Sequence, residues 1–106
     1  MTEELWQQIV TDLTNNPRDL QTIPLRGTGR WFHASVDGSK ILVENAESHT
    51  PSSNLAVPRK ISRNEFVRMY PIHIRRENGE QVSQEAQRAG LNQVYIYSIF
   101  RYCGRM

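Results

Sequence analysis

The sequence predicts an α+β fold with an N-terminal helix, a three-stranded antiparallel sheet and a helical C-terminal half. Three observations indicate this. An amphipathic segment opens the chain, two β-type runs flank an Asp-Gly turn, and capping residues and glycines divide the second half into helices. A chain of 106 residues suits a single hydrophobic core. We therefore expect residues 1–106 to form one domain.

The first helix has a clear beginning and end. Thr2 is a capping residue, and Glu3 and Glu4 follow in the first turn, where the helix dipole favours negative charge. Residues 15–17, Asn-Asn-Pro, end the helix because proline cannot donate to the helical hydrogen-bond ladder. The apolar stripe has helical spacing and consists of Leu5, Trp6, Ile9, Val10 and Leu13.

Three strands are expected next. Residues 21–25 form a short edge strand, because their proline is tolerated only at an edge. Residues 30–36 alternate between polar and apolar side chains, and residues 40–44 return as the partner strand. The Asp-Gly pair at 37–38 supplies the positive φ angles of the hairpin turn. Residues 45–60 are expected to be an irregular connector.

The second half is predicted to be helical. A capping box at 62–65 begins the second helix, and Pro71 ends or kinks it at the preceding residue. A third helix over 80–89 and a fourth over 92–102 are separated by a turn that contains Gly90.

Charge is divided unequally along the chain. Residues 57–106 hold nine of the thirteen Lys and Arg residues but four of the eleven Asp and Glu residues, whereas residues 1–56 carry a negative surplus. A basic segment of this kind attracts polyanions, so it favours a nucleic-acid partner. The alternative is that these charges only decorate solvated helical faces.

The third and fourth predicted helices carry a recognisable spacing. Ala86 precedes Gly90 by four positions, and Ile96 and Ile99 follow where a second helix would pack inward. With this pattern, segment 82–99 resembles the helix-turn-helix family of DNA-binding proteins. In that family the small residue lets two helices cross closely, and the glycine allows a left-handed turn between them.

The resemblance implies that residues 92–101 are a recognition helix with a polar, exposed front. Its partner would be duplex DNA, with amide side chains on adenine edges and arginines on phosphates. The candidate nucleic-acid-binding residues are Arg88, Asn92, Gln93, Tyr97, Ser98 and Arg101.

A second resemblance concerns the whole second half. Arg59 and Ile61, Phe66 and the segment 92–96 are similar to small uncharacterised α+β proteins of bacterial mobile gene arrays, including integron cassette products. This resemblance implies a compact domain and assigns no activity.

Two other functions are open alternatives. The predicted fourth helix carries aromatic residues on more than one face, which is typical of a helix that also meets a second copy of the chain in a homodimer. Its aromatic residues are Tyr95, Tyr97, Phe100 and Tyr102. A small-ligand site between sheet and helices, near Trp31 and His33, is the other alternative.

No enzyme motif is present, so we expect a non-enzymatic protein without catalytic residues, metal or cofactor. His33, His49 and His73 lack metal-ligand spacing. Cys103 has no adjacent base and is expected to be exposed near the terminus, and the glycines at 26–29 do not make a phosphate loop.

The sequence also predicts a cytoplasmic protein with no membrane partner. A lone cysteine excludes an internal disulfide framework. The first residues lack the basic and apolar regions of a signal peptide, and no apolar run reaches the ~18 residues that a membrane span requires.

Overall fold

The computed structural model describes residues 1–104, which form four helices and a four-stranded antiparallel sheet. The helices are α1 Glu3–Asn15, α2 Arg63–Glu77, α3 Ser83–Ala89 and α4 Gln93–Cys103. The strands are β1 Arg18–Gln21, β2 Trp31–Asp37, β3 Lys40–Asn45 and β4 Arg59–Ile61, adjacent in that order. The α+β prediction is confirmed, but the prediction of three strands is wrong, because β4 adds a fourth.

Helix α1 has the predicted limits. Its cap is Thr2, whose hydroxyl accepts a hydrogen bond from the Leu5 backbone N–H at 3.1 Å. Trp6, Ile9 and Leu13 from the predicted stripe are buried. The helix therefore covers one face of the sheet.

The β2–β3 hairpin is also as predicted, with its turn displaced by one residue. Asp37 pairs with Lys40, so Gly38 and Ser39 are the central turn residues. Gly38 has a positive φ of 62°, and no non-glycine residue in the described part of the chain has a positive φ. Phe32 and Ala34 point into the core, as their alternation predicts.

The predicted first strand was misplaced, and the last was missed. β1 ends at Gln21, where a strand over 21–25 was expected, and residues 22–30 form a loop. Leu20 supplies the single buried side chain of β1. β4 has three residues, too few for an alternating pattern, and only its pairing with β3 defines it.

Helix α2 continues past Pro71, which was expected to end or kink it. Its capping box is present: Ser62 accepts from the Glu65 N–H, and the Glu65 carboxylate accepts from the Ser62 N–H. Pro71 is exposed inside the helix, while Ile72 and His73 beyond it are buried. Burial of these side chains offsets the one backbone hydrogen bond that proline removes.

The core lies between the inner face of the sheet and the helices. Phe66 of α2 is central, with ring centroids 5.3 Å from Trp6 and 5.5 Å from Phe100. Tyr95 of α4 contacts Phe32 of β2 edge-on at 5.0 Å. Helix α4 thus packs in the middle of the molecule. Within residues 1–104, no helix has both the length and the apolar character needed to cross a bilayer.

The Gly29→Ala substitution is expected to destabilise the fold. A Cβ at Gly29 would lie 1.9 Å from the backbone oxygen of Thr22, which the loop cannot accommodate without moving. We expect a loss of about 1–3 kcal/mol in the free energy of unfolding, measured by urea denaturation.

Gly90→Ala is the matched control. Gly90 has a φ of 164°, which is extended backbone open to any residue, and its added Cβ would approach nothing nearer than Glu65 Oε1 at 3.8 Å. Equal stability of the two variants would contradict the assigned close approach at Gly29.

Candidate functional site

The proposed recognition helix does not present its predicted polar front. Tyr97 is 5% exposed and Ser98 is fully buried, and the Ser98 hydroxyl donates to the Gln21 carbonyl at 2.7 Å. The expectation that these two side chains are exposed is therefore wrong. Helix α4 uses this face to hold β1 in place.

Two other predicted contact residues are engaged within the protein. The Asn92 amide donates to Glu65 Oε1 at 3.0 Å and accepts from Arg59 at 3.0 Å. Arg101 makes two 2.7 Å hydrogen bonds from Nη2 to the carboxylate of Glu77. Arg88 is exposed and forms no hydrogen bond with the described residues.

The turn between α3 and α4 also differs from the expected one. Gly90 is extended, so the left-handed turn implied by the helix-turn-helix resemblance is wrong. Arg59 donates to the Leu91 carbonyl and Arg68 to the Ala89 carbonyl, at 3.3 and 3.4 Å. We call Arg59, Arg68 and Arg88 the arginine turn.

The two charge-biased halves of the sequence meet in space. Arg63 pairs with Glu3 at 2.8 Å, and Lys60 pairs with Asp37 at 3.2 Å, so basic residues of the second half neutralise acidic residues of the first. Arg75 pairs with Glu85 at 2.6 Å. The two pairs that join the halves therefore offset two of the positive charges in the surplus of the second half.

A concave surface lies where the β1–β2 loop faces the helices. It encloses about 430 Å³ between residues 23–25 of the loop, the end of α2, α3 and the first turns of α4. We call it the helical groove. Its apolar lining includes Ile23, Leu25, Val82 and Val94.

Several polar side chains also line the helical groove, among them Arg76, Gln93 and Tyr97. Arg76 donates to the Ile23 carbonyl, and its guanidinium carbon lies 4.4 Å from the Tyr97 ring centroid. Gln93 Oε1 is buried and has no hydrogen-bond partner among the described residues. Burial raises the pKa of Tyr97 and outweighs the opposite effect of nearby Arg76. The Tyr97 hydroxyl therefore remains a hydrogen-bond donor at neutral pH. Gln93 and Tyr97 were predicted as contact residues; Arg76 was not.

A second polar arrangement lies on the outer face of the sheet, and sequence reasoning missed its centre. The side chain of Asp19 is 3% exposed and accepts from Nδ1 of His33 at 3.0 Å and of His49 at 2.8 Å. It also accepts from the backbone N–H groups of Glu47, Ser48 and His49. We call these five residues the Asp19 cluster. Asp19 faces His33 across β1 and β2, a register that the misplaced first strand concealed.

The Asp19 carboxylate is strongly held in its ionised form. Burial raises its pKa, but hydrogen bonds from the Glu47 N–H, the His49 imidazole, the Ser48 N–H and His33 outweigh burial and hold the pKa well below its usual range. The cluster thus fixes the 46–49 loop on the sheet.

The alternative ligand site near Trp31 and His33 consists of two shallow depressions, and the one at Trp31 holds about 170 Å³ beside Leu20 and Tyr102. The His49 side chain is 49% exposed, and its ring stacks on Trp31 at 4.0 Å and is bound to Asp19. The depression beside His33 encloses about 320 Å³ and is lined mainly by charged and polar residues. In residues 1–104, no group of three or more His, Cys, Asp or Glu side chains has the geometry of a metal site.

The aromatic helix offers little surface to a second copy. Tyr95, Tyr97 and Phe100 are buried, and Tyr102 and Val94 are the exposed large side chains of α4. A homodimer through this helix stays a prediction. Cys103 was expected to be exposed but is buried, and burial raises the pKa of its thiol to about 12.

Comparison with protein-family models, curated proteins and solved structures finds no match to this chain. Its function is therefore inferred from its own geometry.

Asp19→Asn is expected to destabilise the protein and loosen the 46–49 loop. The substitution removes the charge that both imidazoles and three backbone N–H groups contact. We expect a loss of about 1–3 kcal/mol at pH 7, measured by urea denaturation. Asp37→Asn, which alters an exposed pair with Lys60, is the control and should cost under about 1 kcal/mol.

The pH dependence has a defined sign. The pKa of Asp19 is lower in the folded state, so its stabilisation is present above the unfolded pKa of about 3.9 and is lost as pH falls further. The stability difference between wild type and Asp19→Asn should therefore shrink below about pH 4. A difference that grows on acidification would contradict the assignment.

Proposed function

We propose that this protein is a small-ligand-binding module and that the helical groove is its binding site. The observation that carries the proposal is the buried, unpartnered Gln93 Oε1 in a groove that also presents Arg76 and Tyr97. An unpaired buried polar atom costs free energy, so a residue that stays unpaired beside a concavity is typical of a ligand contact.

The shape and lining of the groove support binding of a small molecule. Its volume of about 430 Å³ falls within the usual range for ligand sites, which combine apolar walls with a few polar groups. Leu25 is 76% exposed and Val94 is 43% exposed, one on each side of the groove. A ligand between them would remove both from water.

The groove favours binding over catalysis. A guanidinium and an amide do not exchange protons near neutral pH, and the pKa of Tyr97 is raised further by its burial. Glu80 also lines the groove, but its carboxylate is bound by Arg75. The groups that orient a ligand are therefore Arg76, Gln93 and Tyr97. This agrees with the expectation of a non-enzymatic protein, which stays a prediction.

Val94→Asp is expected to weaken ligand binding. It replaces an apolar wall of the groove with a hydrated charge, at a cost of about 1–2 kcal/mol in binding free energy. A library of fragments with about 10–15 non-hydrogen atoms would be screened by amide chemical-shift changes in labelled protein.

Leu91→Asp is the matched control. Leu91 is also an exposed apolar residue beside the start of α4, but it does not line the groove. The fragments should shift groove amides in wild type and Leu91→Asp, and less in Val94→Asp. Shifts confined to other surfaces would remove the proposal.

Nucleic-acid binding is the second candidate, and the arginine turn favours it. Arg59, Arg68 and Arg88 make no ion pair with a carboxylate of residues 1–104, and two of them already contact backbone carbonyls of one turn. Guanidinium groups in this state are suited to phosphate oxygens. Helix α4 would support this surface without entering a groove of the duplex.

Arg68→Ala is expected to weaken binding of duplex DNA and to reduce its salt dependence. The loss of one phosphate contact should lower the slope of log K against log salt by about 1, measured between about 50 and 200 mM salt. Lys40→Ala on the β2–β3 hairpin removes the same charge and is the control. If Arg68→Ala and Lys40→Ala weakened DNA binding equally, binding would depend on the net charge of the protein and not on the arginine turn.

A further inference from the structure

We propose that the helical groove selects small carboxylates whose apolar body carries an N–H donor, as an N-acylated aliphatic amino acid does. This inference rests on the proposed ligand-binding function and names its ligand class. The ligand class follows from three parts of the groove: a cationic group, an unpaired amide and two apolar walls.

Arg76 supplies the positive charge. One of its nitrogens, Nη2, donates to the Ile23 carbonyl, and its Nε and Nη1 make no hydrogen bond with the described residues. No carboxylate of residues 1–104 forms an ion pair with Arg76, unlike Arg75, Arg63 and Arg101. A planar guanidinium with free N–H groups binds a carboxylate with good geometry.

The acidic residue that lines the groove does not compete for Arg76. Glu80 lies on the rim, and its carboxylate accepts from Arg75 Nε at 3.2 Å. The charge of Glu80 is thus partly neutralised by an arginine outside the groove. Glu77 also lies close enough to Arg76 to interact with it, but its carboxylate is bound by Arg101, so an anionic ligand meets a guanidinium that no carboxylate hydrogen-bonds.

Gln93 supplies the requirement for an N–H donor. Its Oε1 is an acceptor without a partner, and a bare carboxylate cannot satisfy it. Because Oε1 is closed to solvent, the Gln93 amide must rotate toward the groove before a ligand N–H can reach it, and a ligand with an amide N–H close to its carboxylate then serves both residues at once. Tyr97 lines the same space, and its hydroxyl is a donor that suits a carboxylate.

The apolar walls define the rest of the ligand. Leu25 and Val94 are exposed on the loop side and the α4 side, with Ile23 and Val82 beside them. A branched aliphatic side chain fits such a lining, whereas a strongly hydrated sugar or polyphosphate does not.

The test uses full-length labelled protein and four probes. N-acetyl-leucine carries the carboxylate, the N–H donor and the apolar group. Its primary amide derivative lacks the negative charge, and 4-methylpentanoate lacks the N–H donor. A tripeptide with a C-terminal leucine presents the same carboxylate and N–H as a chain end. Binding is measured by amide chemical-shift titration of the residues that line the groove.

N-acetyl-leucine is expected to bind most tightly among the small probes, about 10-fold or more above its primary amide, because a charged hydrogen bond is lost in the amide. Arg76→Gln should remove this preference because it removes the positive charge. The glutamine amide can still donate to the Ile23 carbonyl, so the substitution keeps the link to the loop. Gln93→Leu should reduce affinity for N-acetyl-leucine about 5-fold or more and leave 4-methylpentanoate unchanged. Arg75→Gln, outside the groove, is the charge-matched control and should keep the preference.

The outcomes separate the ligand class from the function. If the amide binds the groove as well as the acid does, and Arg76→Gln changes neither, the ligand class is wrong while the groove remains a binding site. If neither these probes nor the fragment library shifts groove amides, the proposed function fails. Tighter binding of the tripeptide than of N-acetyl-leucine would identify a peptide chain end as the source of the carboxylate; weaker binding would identify a free small molecule.

Discussion

The burial of α4 is the constraint on which the rest of the structure depends. Its side chains from Tyr95 to Phe100 are all buried, including the hydroxyl of Ser98, which is bonded to the Gln21 carbonyl on β1. A buried hydroxyl requires such a partner, so this bond fixes the axial position of α4 against the edge of the sheet. With α4 fixed, α1, α2 and the sheet pack around it. The same burial removes Tyr97 and Ser98 from the exposed front that was predicted to read DNA.

Charge shows how a linear pattern changes when the chain folds. The basic second half contains Arg63 and Lys60, whose partners are Glu3 and Asp37 of the acidic first half. A count along the sequence assigns the basic and the acidic residues to separate halves of the chain. Coulomb interactions depend instead on the distance between charges in the folded protein. The three residues of the arginine turn, like Arg76 of the helical groove, form no ion pair with a carboxylate of residues 1–104 and stay available to an anion.

The elements with local signals were predictable, and those that depend on pairing were not. Thr2, the capping box of α2 and the turn at Gly38 each act through neighbouring residues, so the sequence identifies them. β4 and the true limits of β1 exist because adjacent strands supply hydrogen bonds, which no short pattern encodes. Pro71 was expected to end or kink α2, but the helix continues because burial of Ile72 and His73 offsets the one backbone hydrogen bond that proline removes.

The candidate sites show the same difference between what neighbouring residues encode and what only the fold brings together. Gln93 and Tyr97 were predicted as contact residues for their chemistry, but Arg76 and Ile23, which line the same groove, are distant in sequence and lie beside them only through the packing of α2 and the loop on α4. Asp19 was missed because an error of a few residues in β1 removed it from the strand opposite His33. Residue types therefore suggested chemistry, whereas the location of that chemistry required the fold.

Arg76 connects the groove to the stability of the loop that forms its wall. Its guanidinium bonds the Ile23 carbonyl on one side and lies over the Tyr97 ring on the other, so it joins the β1–β2 loop to α4. A guanidinium has five N–H donors, and the bond to Ile23 leaves others available to a ligand. A carboxylate at Arg76 would neutralise the cation without breaking this link. Ligand binding and loop order would then reinforce each other, because both use the same side chain in the same position.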